Sequence, residues 1–259
     1  LANAATGTGS IGQWNRVGDH QLVQSRTGDV VDCSARQDGV RAVSHYAFGA
    51  VLLQCRRCCT QGACSVDDVV HQHAGFAFDI TDDVLIPRPE TELLVEKAIA
   101  WLKASPERRT VADIGTGSGV IATSIAMHVP DARILATDIS LDALKMAQHN
   151  ARKFHVHHLI DFLQCDLLPQ PVEFLSTDSH FDLICANLPY IPTDTLHQLP
   201  IYGKEPTLAL DGGADGLEIY RRLFKLAPHW LAPRGMMLLE IESTLGVKAL
   251  SLAFDSFSD

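Results

Sequence analysis

Three alternating glycines mark the stretch of this sequence with the clearest capacity for chemistry. Gly115, Gly117 and Gly119 stand at every second position of VADIGTGSGV, residues 111–120. Glycine adopts positive φ and lets a ligand approach the backbone, so this turn can lie under a bound nucleoside. A second apolar run ends at Asp138, whose carboxylate can accept hydrogen bonds from both ribose hydroxyls. No Lys-Ser or Lys-Thr pair follows the glycines, which argues against a phosphate loop.

A second set of residues suits the chemistry of an amino or amide group. In the tetrapeptide Asn187-Leu188-Pro189-Tyr190, the Asn187 side-chain oxygen and the Leu188 carbonyl can both accept from one NH2 group. Pro189 holds Leu188 extended, and Tyr190 offers a flat face to a planar substrate. A proline turn without a ligand is the simpler interpretation of the same residues. A dinucleotide and S-adenosylmethionine both suit the glycine turn.

The predicted elements bring these residues to one edge of a sheet. Strands are expected where apolar runs occur, and helices where apolar residues recur every three or four positions. The strands alternate with the helices, which predicts an α/β fold with a Rossmann-like parallel sheet. Ligands bind such sheets at the carboxyl ends of the strands, where the candidate residues lie. The predicted strands are residues 111–114, 133–137, 159–164, 181–186 and 236–241, and the predicted helices are residues 89–104, 120–129, 141–154 and 217–230 with a last helix ending near 254.

The chain divides into three parts by composition. Residues 1–72 form an atypical, irregular segment without sustained periodicity, in which only 45–55 resembles a short buried element. Residues 73–89 are a predicted hairpin and linker, because 75–86 alternates apolar and polar residues. Residues 90–259 form the α/β domain. A Cys-x-x-Cys pair near position 55 lacks the second pair of a convincing zinc site, so no metal is predicted.

Composition limits the classes of function. The 259 residues are 46% hydrophobic and 20% charged, as in a globular domain, and no apolar run has the length of a membrane span. A formal net charge of −10 without a basic cluster argues against direct nucleic-acid binding. Seven cysteines without regular spacing favour a reducing compartment, and we expect a cytoplasmic protein.

Taken together, these motifs resemble a known family. DIGTGSG, Asp138 and the N-x-P-Y tetrapeptide are similar to class I S-adenosylmethionine-dependent methyltransferases that modify NH2 groups. Residues 86–92, IPRPETE, and residues 205–217, EPTLALDGGADGL, further resemble the PrmC/HemK family of protein-(glutamine-N5) methyltransferases, which act on peptide chain release factors. The resemblance covers roughly residues 75–259.

The resemblance implies a role for each motif residue. The cofactor is S-adenosylmethionine, the partner is a class I release factor, and Asn187 to Tyr190 grip the glutamine of its Gly-Gly-Gln loop. Residues 88–90 are expected to line the near side of the pocket. The implied cofactor contacts are Gly115, Thr116, Gly117, Ser118 and Gly119 from the turn, Asp138 for the ribose, Asp166 and Leu167 for the adenine, and Asn187.

Three departures from the family keep other functions open. The family usually has proline at the position of Leu188, and N-L-P-Y also occurs in rRNA adenine dimethyltransferases, so a nucleic-acid amino methyltransferase is the competing enzyme. Residues 1–72 do not resemble the family's N-terminal helical domain. The family's sheet continues with an antiparallel pair of strands beyond residue 259, so we expect a truncated sheet whose fifth strand has an uncovered edge. A non-catalytic fragment is the third possibility.

Overall fold

The computed structural model describes residues 31–34, 40–45, 50–55, 70–73, 76–169 and 180–257. Among these residues, no helix is both long and apolar enough to cross a membrane. The strands are β1 (Val31–Ser34), β2 (Val40–His45), β3 (Ala50–Cys55), β4 (Val70–His73), β5 (Phe76–Asp79), β6 (Thr110–Ile114), β7 (Arg133–Asp138), β8 (Ile160–Gln164), β9 (Phe181–Ala186) and β10 (Leu231–Glu242). The helices are α1 (Pro89–Lys103), α2 (Val120–His128), α3 (Leu141–Lys153), α4 (Thr193–Leu196), α5 (Glu218–Leu226) and α6 (Gly246–Ser256).

The main sheet has the order β1-β2-β3-β10-β9-β6-β7-β8. The strands from β3 to β8 in this order are mutually parallel, whereas β1 and β2 are antiparallel to their neighbours. The helices α2, α3 and α5 lie in the connections from β6 to β7, from β7 to β8 and from β9 to β10, because a short turn cannot return the chain to the same end of the sheet. The predicted Rossmann-like α/β fold is confirmed.

Apolar residues cover both faces of the sheet. Along β9, Leu183 and Cys185 belong to a core cluster with α1 and α2. Ile184 and Ala186 point the other way, into a second cluster that contains residues of α5 and α6. Successive strand residues face opposite sides, so a strand buried on both faces is apolar throughout. This burial fixes the ends of β6 and β9, from which the site is built.

The order and type of the elements after residue 88 follow the predictions closely. β9 and α2 begin where they were expected, and α3 begins after Ser140, whose hydroxyl accepts from the Ala143 N–H at 3.2 Å. The predicted helix over 217–230 is shorter, because α5 ends at Leu226 and a 3-10 turn that includes Pro228 follows. Proline cannot donate the hydrogen bond that would continue the helix.

Residues 75–86 bear out the prediction of a strand or hairpin only in part. Only β5 is a strand, and its partner is β4, upstream of the predicted segment. Ile80, Val84 and Ile86 are instead buried with Ala143 of α3 without strand pairing. In this segment, the alternation corresponds to burial of Phe78, Ile80, Val84 and Ile86, and beyond Asp79 it does not correspond to strand pairing.

The edge of β10, the fifth strand of the predicted sheet, is not uncovered as expected. β3 pairs with it in parallel, from Met237 opposite Ala50 to Glu242 opposite Cys55. β1 and β2 extend the sheet beyond β3, although the sequence of this segment showed no sustained alternation. Pairing with an existing edge provides the hydrogen bonds that a short strand cannot form alone.

Asn150 joins three parts of the fold. This side chain of α3 is fully buried. Its Oδ1 accepts from the Asp79 N–H at 2.9 Å, and its Nδ2 donates to the carbonyls of Asp79 and Ser118, each at 2.9 Å. One amide therefore anchors β5 and the glycine turn to the same helix.

Replacing Asn150 by alanine is expected to lower the free energy of unfolding by about 2–4 kcal/mol, because three backbone groups around a fully buried side chain lose their partner. Urea denaturation at neutral pH measures this change. The exposed Lys145 on the same helix provides the control, with an expected change of less than about 0.5 kcal/mol for Lys145→Ala. Equal effects of both substitutions would contradict the anchoring role of Asn150.

Candidate active site

One cavity lies at the carboxyl ends of β6, β7 and β9 and brings together most of the predicted site residues. Those that line it are Gly115, Thr116, Gly117, Ser118, Asp138, Asp166, Leu167, Asn187, Leu188 and Pro189. The opposite walls are largely apolar and come from the segment before α1 and from the loop after Glu205. They include Val84, Leu85, Pro87, Pro206 and Leu208, and Ile139 after β7 adds a further apolar side chain.

The glycine turn has the backbone that was predicted for it. Gly115, Gly117 and Gly119 all have positive φ, of 68°, 53° and 78°. A Cβ on Gly115 would lie 2.8 Å from the Leu188 side chain, whereas a Cβ on Gly117 would meet no atom within 4 Å. Gly115 therefore allows the turn to touch the tetrapeptide, and Gly117 leaves open space in the cavity.

Asp138 lies beside this turn at the end of β7. Its Oδ2 accepts from the Gly117 N–H at 2.9 Å, and its Oδ1 accepts from the Ser140 N–H at 2.9 Å. These bonds direct the carboxylate at the cavity, and each oxygen keeps a lone pair for a ligand hydroxyl. The arrangement fits the predicted ribose contact.

Asp113 of β6, which the sequence analysis did not single out, stabilises the glycine turn through hydrogen bonds. Its Oδ2 accepts from Thr116 Oγ1 at 2.6 Å and from the Ala122 N–H at 3.1 Å, joining the start of the turn to α2. Complete burial raises its pKa to about 6, an effect that the negative charge of Asp138 increases and the two hydrogen bonds oppose. The carboxyl is a structural part of the turn.

Asp166 and Leu167 line the cavity after β8. Arg222 of α5, a further lining residue, forms an ion pair with Asp166. Leu167 has a φ of 67°, which is rare for a branched side chain, and its carbonyl accepts from Thr137 Oγ1 at 2.6 Å. The Thr137 bond secures this unusual backbone where the adenine contact was predicted.

The amide of Asn187 is held by two side chains that sequence reasoning did not place in the site. Its Nδ2 donates to Thr91 Oγ1 at 3.3 Å, and Thr91 Oγ1 donates to Glu240 Oε2 at 2.8 Å. Because Nδ2 is engaged by Thr91, Oδ1 is the amide atom that remains as an acceptor. Asn187 lines the cavity, so Oδ1 is the atom that it offers there as an acceptor.

Leu188 is held in a similar way by Tyr220 of α5. The Leu188 N–H donates to the Tyr220 hydroxyl at 3.2 Å. The hydroxyl lies 3.1 Å from the Leu188 carbonyl and 2.5 Å from the Glu240 carbonyl, and its single proton is shared between these two acceptors. Tyr220 is fully buried, and burial raises its pKa well above the usual value, so it stays a neutral donor.

Two predicted site residues lie elsewhere. Gly119 does not line the cavity, and a Cβ there would lie 2.8 Å from Ala147 of α3. Tyr190 is only 8% exposed and packs in the core cluster of α5 and α6. It is not among the residues that line the cavity. The cofactor contact of Gly119 and the substrate-stacking role of Tyr190 stay predictions.

Residues 88–90 do not line the cavity, contrary to the expectation from the resemblance. Their neighbours Pro87 and Thr91 line the cavity, whereas Arg88 turns away to form an ion pair with Glu205 at 2.6 Å. α1 begins at Pro89, and the helical turn rotates Thr91 towards Asn187.

The described residues contain no group of three or more His, Cys, Asp or Glu side chains that could hold a metal ion. Cys58, the second cysteine of the Cys-x-x-Cys pair that begins at Cys55, lies outside the described residues.

Comparison with known proteins gives consistent results. The methyltransferase small domain family matches residues 89–198. The release factor glutamine methyltransferase of Moorella thermoacetica is 47% identical over 177 residues, which are 68% of this chain and 60% of the relative. That of Geobacter sulfurreducens is 37% identical and is matched over 72% of this chain and 65% of the relative. The ribosomal protein uL3 glutamine methyltransferase of Neisseria meningitidis is 37% identical, over 64% of this chain and 54% of the relative. The chain thus spans about 60% of the length of these curated relatives.

The strand order β8-β7-β6-β9-β10, the glycine turn after β6 and the acidic end of β7 define a class I S-adenosylmethionine-dependent methyltransferase. Within that class, the chain is similar to the release factor glutamine methyltransferases of the PrmC/HemK family, which it matches at 36–47% identity over 59–65% of their length.

The buried Glu240 is expected to make stability fall as pH rises. Burial raises its pKa from 4.5 to about 7, and the charge of Glu90 adds to the shift, while the hydrogen bond from Thr91, the charge of Arg88 and the nearby Asn187 amide oppose it. The folded state therefore binds more protons than the unfolded state between pH 4.5 and about 7, so the free energy of unfolding decreases across this window. The decrease approaches about 3 kcal/mol.

Glu240→Gln is expected to remove this decrease, so its free energy of unfolding, measured by urea denaturation from pH 4.5 to 8, changes less than that of the wild type. Glu96→Gln, at an exposed position of α1, serves as the control and keeps the wild-type slope. A Glu240→Gln slope equal to that of the wild type would show that Glu240 does not titrate in this range.

Proposed function

We propose that this chain transfers a methyl group from S-adenosylmethionine to the side-chain amide nitrogen of glutamine in the Gly-Gly-Gln motif of class I peptide chain release factors. The observation that carries the proposal is the position of Asn187 and Leu188 on the same cavity as the glycine turn and Asp138. The names of the relatives from Moorella and Geobacter support the choice of substrate. A release-factor substrate implies work in the cytoplasm, where translation takes place.

The cavity residues fit S-adenosylmethionine. The open space above Gly117 admits a ligand close to the backbone, and the Asp138 carboxylate beside it suits the ribose hydroxyls. Asp166 and Leu167 would hold the adenine, with Ile139 supplying an apolar wall. When bound, the cofactor supplies a methyl group that is activated by a positively charged sulfur.

The residues of the tetrapeptide act on the glutamine amide. Its nitrogen is a poor nucleophile because the lone pair is delocalised into the carbonyl. Asn187 Oδ1 and the Leu188 carbonyl accept hydrogen bonds from the NH2 group, which fixes its direction and stabilises positive charge that develops on nitrogen. Asn187 is not a base at ordinary pH, so the proton leaves after the methyl group has been transferred. The contribution of the chain is alignment and exclusion of water.

A protein substrate is favoured over RNA by electrostatics. The formal net charge is −10, and nucleic-acid binding depends on neutralising phosphates with basic side chains. Arg88, Arg221 and Arg222 are each engaged by a carboxylate, Glu205, Asp215 or Asp166, so they do not form an uncompensated basic surface.

Incubation with labelled S-adenosylmethionine and separate substrates tests the proposal. We expect label on the glutamine of a release factor, located by mass spectrometry, and none on a factor in which that glutamine is replaced by asparagine. Ribosomal protein uL3 and rRNA form the competing arms. Label on either of them with an unlabelled release factor would overturn the assigned substrate, and label on none of them would leave a non-catalytic fragment.

Asn187→Ala is expected to lower kcat by about 100- to 1000-fold, since it removes an acceptor that acts on the developing charge. Cofactor affinity, measured by isothermal titration calorimetry, should stay nearly unchanged. Asp138→Ala is the matched variant with the opposite pattern, a loss of cofactor affinity. Equal losses of kcat and cofactor affinity in Asn187→Ala would indicate a structural role.

A further inference from the structure

Glu240 lies behind both acceptors of the tetrapeptide. Its carboxylate accepts from Thr91, which accepts from Asn187, and its main-chain carbonyl accepts from Tyr220, which holds Leu188. Glu240 and Tyr220 are fully buried, and Thr91 is 2% exposed. A single residue of β10 thus contacts the partners of both Asn187 and Leu188.

A buried carboxylate is costly here and has a visible consequence. Glu240 Oε1 has no hydrogen-bond partner among the described residues, and no cationic side chain forms an ion pair with Glu240 there. An amide or an apolar residue would avoid the desolvation of a charge. The position therefore requires an explanation other than stability.

The carboxylate determines the direction of the hydrogen bonds. An ionised carboxyl has no proton to donate, so Thr91 must donate its only hydroxyl proton to Glu240. Thr91 Oγ1 is then an acceptor for Asn187 and selects the Nδ2 side of the amide. A flipped Asn187 would place Oδ1 against the lone pairs of Thr91, and the cavity would be offered a donor where an acceptor is needed.

We propose that Glu240 is the positioning residue of the amide-binding pair, setting the orientation of Asn187 through Thr91. The proposal rests on the proposed function for its consequence in catalysis. Glu240 touches neither substrate nor cofactor, and it acts through the orientation of an acceptor that does. Its main-chain carbonyl supports Leu188 in parallel, through Tyr220.

Protonation of Glu240 removes the directionality. A neutral carboxyl can donate to Thr91 Oγ1. Thr91 can then donate its own proton to Oδ1 of a flipped Asn187. Burial and the neighbouring charge of Glu90 raise the pKa of Glu240 to about 7, against the effects of the Thr91 hydrogen bond, the charge of Arg88 and the nearby Asn187 amide. The buried Tyr220 phenol stays neutral. We therefore expect kcat to fall as pH decreases through 7.

The first test measures methylation of a full-length release factor from pH 5.5 to 8.5. Glu240→Gln is expected to lower kcat at pH 8 roughly 10-fold and to abolish the decrease of kcat at low pH. The KM values for the release factor and the cofactor, and the affinity for the cofactor, should stay nearly unchanged. Thr91→Val is expected to lower kcat roughly 10- to 100-fold, and Thr91→Ser to restore it to within a few-fold, because only the hydroxyl is needed. Glu242→Gln, two residues further along β10, is the control and keeps the wild-type profile.

A second measurement does not depend on activity. In ¹⁵N–¹H spectra, the side-chain NH2 resonances of Asn187 should shift with pH in one step near 7 in the wild type and not in Glu240→Gln. If the release factor is not methylated but this step is present, the orientation by Glu240 stands and the proposed function falls. The positioning role is overturned if the step persists in Glu240→Gln, if Glu240→Gln keeps wild-type kcat and pH profile, or if Thr91→Ser is as impaired as Thr91→Val.

Discussion

The site depends on the direct contact between the glycine turn after β6 and the tetrapeptide after β9. These strands are adjacent and parallel, paired from Val111 opposite Leu183 to Ile114 opposite Ala186, so their ends reach the same edge together. Any side chain on Gly115 would meet Leu188, and the absence of a Cβ lets the two segments touch. A nucleoside on the turn and an amide at Asn187 are consequently neighbours in one cavity.

The central fold was predictable because its local and long-range preferences agree. Strands such as 181–186 are apolar on both faces, and each is bounded by turn residues, so periodicity and length point to the same element. Prediction failed where burial occurs without a regular ladder, as at residues 80–86 against α3. It also failed for β1 and β2, which join the sheet only through β3, the element expected within residues 45–55. β3 in turn pairs with the edge of β10, almost 200 residues away along the chain.

The residues predicted for the site are those whose chemistry is local in sequence. The glycine turn and the tetrapeptide are short motifs whose role is written in neighbouring positions. Thr91, Tyr220 and Glu240 come from different elements and meet only in the folded chain. One signal for them was present: Glu240 is the only charged residue within MMLLEI, an apolar strand buried on both faces. A carboxylate in such a strand needs a partner, although sequence alone does not name it.

The two outer motifs, 86–92 and 205–217, have a joint structural role. Glu205 is nearly buried and accepts from the Ile86 N–H at 3.1 Å and from Arg88 Nη2 at 2.6 Å. This buried ion pair is held by an additional backbone bond, the condition under which a paired charge offsets its desolvation. It fixes the start of α1 against the loop that carries Pro206 and Leu208, both of which line the cavity. Because Thr91 lies in the first turn of that helix, the same ion pair that closes the outer wall also sets where Thr91 meets Asn187.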